Sequence, residues 1–380
     1  MTQDVVVLGA TGSIGSQTIE VATELGLEIV ALAARFPSEA LAALAREHPA
    51  ARVVAAGGSS EEREGFARAV GRPVEFGSDA VTDTARTPGA TVVNGIVGAA
   101  GLRATVAALE TGNRVALANK ESLVAGGPVV MNALARGGEL IPVDSEHSAL
   151  YQCLVGEDPA SVSRLVLTAS GGPFRGRSRE SLADVTPEQA LAHPTWDMGR
   201  RISIDSATLF NKGLEVIEAH FLFQVAYERI AVVIHPQSVL HSAVEYVDGS
   251  WKGHLGHPDM RIPIQYALTA PARAASPVDT FDLAGRSLTF EEPDREVFPA
   301  LDLAFAAGER GGSSPAVLNA ADEVAVDAFL HRRLGFLGIA EVVASTLEMV
   351  PWRQVATVDD VLDADREARA TAASLIAGAC

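Results

Sequence analysis

The run Val5-Val6-Val7-Leu8 passes without a break into Gly9-Ala10-Thr11-Gly12-Ser13-Ile14-Gly15, and this junction constrains the fold more than any other stretch of the chain. Four consecutive apolar residues, three of them β-branched, read as a parallel strand buried on both faces. The amphipathic stretch that follows, through Leu25, reads as a helix. Between them the G-x-x-G-x-x-G spacing is a variant of the dinucleotide fingerprint: the glycines permit a tight strand-to-helix turn and let backbone N–H groups approach a pyrophosphate. An isolated glycine loop is an ordinary turn, whereas one set between a first strand and a first helix predicts a cofactor site.

The second strand, Glu28-Ile29-Val30-Ala31-Leu32-Ala33, ends in Ala34-Arg35-Phe36. An NAD site usually places an acid here to accept from the ribose 2′-hydroxyl. This chain has no carboxylate at that point, and Arg35 offers a partner for a 2′-phosphate, so the expected cofactor is NADP(H). Further apolar runs at 52–55, 91–94, 114–118 and 140–143 alternate with helical stretches, which predicts a doubly wound parallel sheet.

Three of these runs end in polar or glycine-rich segments: Asn94-Gly95-Ile96-Val97-Gly98, Asn119-Lys120-Glu121-Ser122 and Asp144-Ser145-Glu146-His147. Ligands of such sheets collect beyond the carboxyl ends of strands. Asp144 and Glu146 stand two apart, so in extended backbone both side chains would face one ion. Glu215 would add a third oxygen ligand, and three carboxylates without a thiolate favour Mg²⁺ or Mn²⁺. His147 has no second histidine at zinc spacing and reads as a hydrogen-bonding structural residue.

Residues 202–220 carry the densest polar pattern. Read as one helix, the segment sets Asn211 and Glu215 four apart, with Lys212 alongside and Ser206 more than a turn earlier. An amide, an ammonium, a hydroxyl and a carboxylate together suit a polyhydroxy phosphate and a metal ion. Ser170-Gly171-Gly172-Pro173-Phe174 offers a hydroxyl and an open turn to a phosphate, and His193-Pro194-Thr195-Trp196-Asp197-Met198-Gly199 has the composition of a loop that closes over a site.

The organisation follows from these landmarks: residues 1–144 a cofactor domain with a Rossmann-like sheet, 145–273 a central α/β (α+β) catalytic domain, 274–299 a proline- and glycine-rich connecting arm, and 300–380 a small helical domain. Forty-eight acidic against 30 basic residues, a net charge of -18, argue against nonspecific binding to nucleic acid or anionic membranes. Two cysteines, Cys153 and Cys380, are too few for a disulfide framework. The first strand starts within a few residues of Met1 and no apolar run is long enough to cross a bilayer, so a cytoplasmic enzyme is expected.

These motifs, with Leu117-Ala118-Asn119-Lys120-Glu121-Ser122-Leu123, Pro142-Val143-Asp144-Ser145-Glu146-His147, Asn211-Lys212-Gly213-Leu214-Glu215, His235-Pro236-Gln237-Ser238 and Pro258-Asp259-Met260-Arg261, resemble the 1-deoxy-D-xylulose 5-phosphate reductoisomerase family in order and spacing over nearly the whole chain. The resemblance implies a homodimer that converts 1-deoxy-D-xylulose 5-phosphate to 2-C-methyl-D-erythritol 4-phosphate with NADPH and a divalent metal, in isoprenoid precursor synthesis. It implies that Thr11, Gly12, Ser13, Ile14, Asn119, Glu121 and Gly199 contact NADPH, and that Asp144, Glu146 and Glu215 hold the metal. Lys120, Ser145 and Glu146 would meet the reacting end of the sugar phosphate, and Ser170, His193, Ser206, Asn211 and Lys212 its phosphate or hydroxyls, with Trp196 and Glu215 also at the substrate. Two departures from the family pattern are Ala10, where serine is usual, and Ala34-Arg35-Phe36 at the second strand's end, where a glycine followed by small or polar residues is usual.

Two rival readings remain on the residues alone. One is a metal-independent NADP dehydrogenase of a small hydroxy acid, with structural carboxylates; the other is a non-catalytic dinucleotide sensor. A metal requirement separates the first from the family reading, and substrate-dependent NADPH oxidation excludes the second.

Overall fold

A computed structural model describes residues 4–196 and 198–379. Asp197 of the expected closing loop, and Cys380, lie outside the described residues. The chain divides into two compact units: residues 1–122, 129–148 and 259–280 form the first, and 123–128, 149–258 and 281–380 the second.

The first half of the chain alternates β1 (Asp4–Leu8), α1 (Ser13–Glu24), β2 (Glu28–Ala34), α2 (Glu39–Glu47), β3 (Arg52–Ala55), α3 (Ser60–Val70), β4 (Glu75–Phe76), α4 (Ser78–Ala85), β5 (Thr91–Asn94), α5 (Leu102–Glu110), β6 (Arg114–Leu117), α6 (Lys120–Leu134), β7 (Glu139–Pro142) and α7 (Ser145–Leu154). Its seven strands run in the order β4-β3-β2-β1-β5-β6-β7, every pair parallel. The order turns at β1, which is the place where a doubly wound sheet opens a crevice. Val5, Val6, Val7 and Leu8 are fully buried, as an apolar central strand requires.

The second unit is built on β8 (Val162–Ala169), then α8 (Pro187–Leu191), α9 (Arg200–Thr208), α10 (Phe210–Phe223), β9 (Ile230–Ile234), β10 (Leu240–Tyr246) and β11 (Trp251–Leu255). The sheet order is β11-β10-β8-β9, with only β8 and β9 parallel. After α11 (Arg261–Thr269), which packs on α1 in the first unit, the chain ends in α12 (Ala300–Arg310), α13 (Ser314–Leu330), α14 (Gly338–Met349) and α15 (Val358–Ala379). The fold is therefore α/β, with a parallel sheet, a second mixed sheet and a helical C-terminal region, as expected. No helix of the described residues is long and apolar enough to cross a membrane.

The polar segment 202–220 is two helices, not one. Leu209 adopts φ 65°, which ends α9 and starts α10, so Ser206 does not share a helix with Asn211 and Glu215. A leucine in the left-handed region costs about 1–2 kcal/mol, and its burial at 4% exposure offsets that cost. Gly213 explains the close docking of α10: a Cβ there would lie 2.5 Å from the Ala304 Cβ of α12.

Candidate active site

Strand register assembles the first half of the site. Leu8 pairs with Ala33 and with Asn94, Asn94 with Leu117, and Leu117 with Pro142. Neighbouring strands thus end at one level, and the loops beginning at Gly9, Gly95, Ala118 and Val143 leave the same edge of the sheet.

The three fingerprint glycines have separate physical reasons. Gly9 has φ +82°, and a Cβ on it would meet the Gly95 carbonyl oxygen at 2.6 Å. Gly15 faces the turn itself, since a Cβ would lie 2.2 Å from the Gly9 oxygen and 2.6 Å from Ala10 Cα. Gly12 caps α1 with no side-chain hydrogen bond, and Thr11, Gly12 and Ser13 are exposed, with Ile14 partly covered. The first turn of α1 carries no acid, so its N–H groups and dipole present an anion-binding surface. Arg35 leaves the end of β2 exposed, its guanidinium 5.1 Å from the Phe36 ring centroid.

Asn119 lies inside the edge, 2% exposed. Its Nδ2 donates to the Ile96 oxygen at 2.6 Å, the Gly98 oxygen at 3.0 Å and Glu121 Oε2 at 2.8 Å, and its Oδ1 accepts from Ser122 N at 3.1 Å. Glu121 Oε1 accepts from Gly98 N at 3.1 Å. Asn119 and Glu121 therefore hold the 96–98 loop to the start of α6. Behind them, Asn94 donates to Gly101 O at 3.0 Å and Thr105 Oγ1 at 2.8 Å. Asn94 and Ser122, which the sequence marked only as parts of polar strand-end segments, and Thr105, which it did not mark, join three distant segments in one buried network. A buried asparagine closing a strand was the available signal.

Lys120, at the first turn of α6, places Nζ 2.6 Å from Asp144 Oδ2. Asp144 lies past β7 and accepts the first helical bond of α7, from Ser148 N at 2.7 Å. Glu146 already belongs to α7, and Ser145 Oγ donates to its Oε2 at 2.6 Å. The extended backbone expected across 144–146 is thus replaced by a helix start. His147 is fully buried, with Nδ1 3.7 Å from Asp144 Oδ2.

In the second unit, Ser170 follows β8 directly. The His193 Nδ1 accepts from the backbone N–H of Thr195 at 3.2 Å and of Trp196 at 2.9 Å, which assigns the ring proton to Nε2. Nε2 then donates to Ser170 Oγ at 2.9 Å, and Gly172 N donates to the same oxygen at 3.2 Å. Burial lowers the His193 pKa below its ordinary 6.5 and keeps the ring neutral. With its lone pairs engaged, the Ser170 hydroxyl is set to donate its own hydrogen to an anion. Gly172, at φ +65°, lets this loop press on α9: a Cβ would lie 2.8 Å from the Ser206 oxygen.

Trp196 is half-buried, its ring 6.3 Å from His241 on β10, and Gly199 caps α9. On α10, Asn211 Nδ2 donates to Glu215 Oε1 at 2.5 Å, and the Lys212 ammonium pairs with Oε2. Lys212 and Glu215 are 4% and 1% exposed, so this ion pair is buried. Asp144 and Glu146 in the first unit and Glu215 in the second each present carboxylate oxygens, the donor type that hard divalent cations take.

Comparison with known proteins gives the same direction. Family models described as 1-deoxy-D-xylulose 5-phosphate reductoisomerase match residues 5–127, and models of its C-terminal domains match 140–223 and 255–371. The chain is similar to the protein of that name from Ralstonia nicotianae, 50% identical with 99% of this chain and 98% of that one covered. It is 48% identical to that from Desulfitobacterium hafniense, covering 98% and 99%. Among solved structures, the Zymomonas mobilis reductoisomerase in complex with NADPH superposes with a TM-score of 0.92 at 44% identity, covering 99% of each chain. A reductoisomerase in complex with NADPH, fosmidomycin and magnesium gives 0.91 at 38% identity, covering 98% of each.

Proposed function

The chain belongs to the 1-deoxy-D-xylulose 5-phosphate reductoisomerase family, and on that footing we propose which of its side chains carry the reaction. The enzyme converts 1-deoxy-D-xylulose 5-phosphate to 2-C-methyl-D-erythritol 4-phosphate with NADPH and a divalent metal, a step of isoprenoid precursor synthesis. When bound, the ion supplies Lewis acidity and the nicotinamide supplies hydride.

Asp144, Glu146 and Glu215 hold the ion. Lys120, beside Asp144, delivers and accepts protons at the reacting end of the substrate, with Ser145 and Glu146 at its oxygens. Ser170, kept oriented by the neutral His193, binds the phosphate with Ser206, Asn211 and Lys212. Trp196 and its loop exclude water. Thr11, Gly12, Ser13 and Ile14 receive the pyrophosphate of NADPH, while Asn119 and Glu121 shape the wall beside it and Gly199 meets the cofactor from the start of α9. Residues 1–144 serve the cofactor, 145–273 catalysis and dimer formation, with 274–299 as arm and 300–380 as helical domain. The homodimer is supported by β11, an edge strand whose exposed Trp251 and Leu255 offer apolar surface for a second copy. Light scattering that finds only monomers would remove it. A cytoplasmic location belongs to the same proposal, and fractionation checks it.

The observation that carries this reading is the gathering of an anion-binding glycine turn, Lys120 and Asp144 on one edge of the parallel sheet. Its test is NADPH oxidation upon addition of 1-deoxy-D-xylulose 5-phosphate with Mg²⁺ or Mn²⁺, with the product read by NMR. The branched methylerythritol phosphate is expected, together with inhibition by fosmidomycin. A straight-chain alcohol, or turnover that survives metal removal, would return the dehydrogenase reading.

The same assay measures cofactor choice. Arg35→Ala should raise the KM for NADPH roughly tenfold, the loss of one exposed charge-assisted contact worth about 1.5 kcal/mol. The KM for NADH should not change. Equal loss of both cofactors would place the 2′-phosphate elsewhere.

A further inference from the structure

Helix α9 is gripped on the side away from the Ser170 loop by an ionic network that no catalytic step uses. Arg201 donates to Glu323 Oε1 at 2.8 Å and to Asn319 Oδ1 at 2.9 Å, both on α13. Its guanidinium also lies 3.4 Å from Asp205 on its own helix and 3.5 Å from Asp322 on α13. Behind Glu323, Arg369 of α15 reaches Glu323 at 2.6 Å and Asp365 at 2.7 Å. Two guanidiniums thus face four carboxyl groups, and Asp322 is fully buried among them.

Among the described residues four acids crowd two arginines, and if all four were ionised the like charges would repel one another in a space with little water, which is costly. Glu323 is the member that ionises readily: burial pushes it upward, but Arg201 and Arg369 outweigh that and hold it below its ordinary value. Asp322 goes the other way, with burial first and then the adjacent Asp205 carboxylate raising it well above 3.8, and a hydrogen bond between the two carboxyl groups acting in the same direction. On the neighbouring helices Glu188 of α8 pairs with Arg332, Lys212 of α10 with Glu215, Asp302 of α12 with Arg295 and Glu341 of α14 with Arg179, while Glu218 of α10 is buried.

We propose that Asp205 and Asp322 share one proton at working pH, and that this neutralised pair, with Arg201, is a positioning device that lets α13 hold α9 and its Ser206 against the phosphate loop. The link to the substrate is the backbone contact of α9 with Gly172, where no room exists even for a Cβ. Neutralisation allows α13 to bring its acids against α9 without repulsion, and α9 in turn fixes the floor on which Ser170 and Ser206 stand. This inference rests on the reading of Ser170 and Ser206 as phosphate contacts.

The linkage sign follows from the raised pKa. A carboxyl that holds its proton more tightly when folded contributes full stability below the unfolded value and loses it as pH rises toward the folded one. Asp322→Asn keeps the shape and a donor but takes up no proton. The melting temperature of Asp322→Asn relative to wild type should therefore climb between pH 5 and pH 8, by about 1–3 °C per pH unit. Parallel curves would overturn the shared proton.

Positioning is read in the holoenzyme with NADPH and Mg²⁺. Asp322→Ala should raise the KM for the sugar phosphate five- to tenfold, roughly 1–1.4 kcal/mol, with kcat reduced less than threefold, and Asp322→Asn should restore KM to within twofold. An asparagine variant as impaired as the alanine variant would overturn the positioning role. Ser206→Ala separates the two layers: an unchanged KM there would refute Ser206 as a substrate contact, while the melting comparison still decides the proton.

Discussion

Glu215→Gln should lower turnover about 1,000-fold, on the order of 4 kcal/mol of lost transition-state stabilisation. Glutamine keeps the shape of the side chain but takes one of three negative charges from the proposed ion site. It also confronts two donors: the Asn211 amide and the Lys212 ammonium each meet one Glu215 oxygen, and glutamine keeps an acceptor for only one of them while setting an amide nitrogen against the other. Lys212 would be left as a buried cation without its carboxylate, so some loss of melting temperature accompanies the catalytic defect. The two are separated by titrating Mn²⁺ into folded variant, checked by circular dichroism, where metal affinity should fall in step with activity. Glu218, fully buried one turn further along α10, is the comparison. Its glutamine variant should keep most of its metal-dependent turnover. If Glu218→Gln lost it while Glu215→Gln retained it, the ligand would be wrong by one helical turn.

Gly15→Ala should abolish useful NADPH binding, with affinity falling about 100-fold and the first unit losing about 3 kcal/mol of stability. The added carbon would sit 2.2 Å from the Gly9 oxygen and 2.6 Å from Ala10 Cα. Both are backbone atoms of a turn fixed from the other side, where Gly9 N and Ala10 N each donate to the Ala33 oxygen at 2.9 Å. The helix must therefore move away from the turn, and the N–H groups proposed to receive the pyrophosphate move with it. Gly12→Ala is the milder neighbour, its Cβ meeting only the Gly9 oxygen at 3.3 Å. Fluorescence titration of NADPH ranks the two, and equal affinity in both variants would refute the separate roles of these glycines.

What the sequence revealed and what it hid divide along a physical line. The glycine turn, the parallel strands and the polar segments at their ends are local signals, each carried by consecutive residues, and they were legible. Leu209 was not: nothing in its identity predicts a left-handed backbone, which surrounding burial imposes against propensity. The helix starting at Ser145 was masked by the strand before it, so Asp144 and Glu146 looked extended. The Asn94, Thr105, Asn119 and Ser122 network and the grip of α13 on α9 join segments far apart in the chain. Strands β10 and β11, which finish the second sheet, escaped notice for another reason. Val247, Trp251 and Leu255 face solvent, so the alternation that marks a half-buried strand is blurred there.

The common level at which β1, β5, β6 and β7 end has a consequence for how this enzyme can change. A one-residue insertion in any of those strands would displace one group of the site by about 3.3 Å against all the others, so that edge admits substitution but not slippage. The loop after β2 is under no such obligation: Arg35 and Phe36 are exposed, and the backbone there is tied to the next strand's loop through Gly57 N and the Arg35 oxygen at 2.7 Å. If the proposed role of Arg35 holds, nicotinamide preference is written on a detachable page. A designer seeking an NADH-using variant would start at these two exposed positions, whose replacement disturbs none of the other loops.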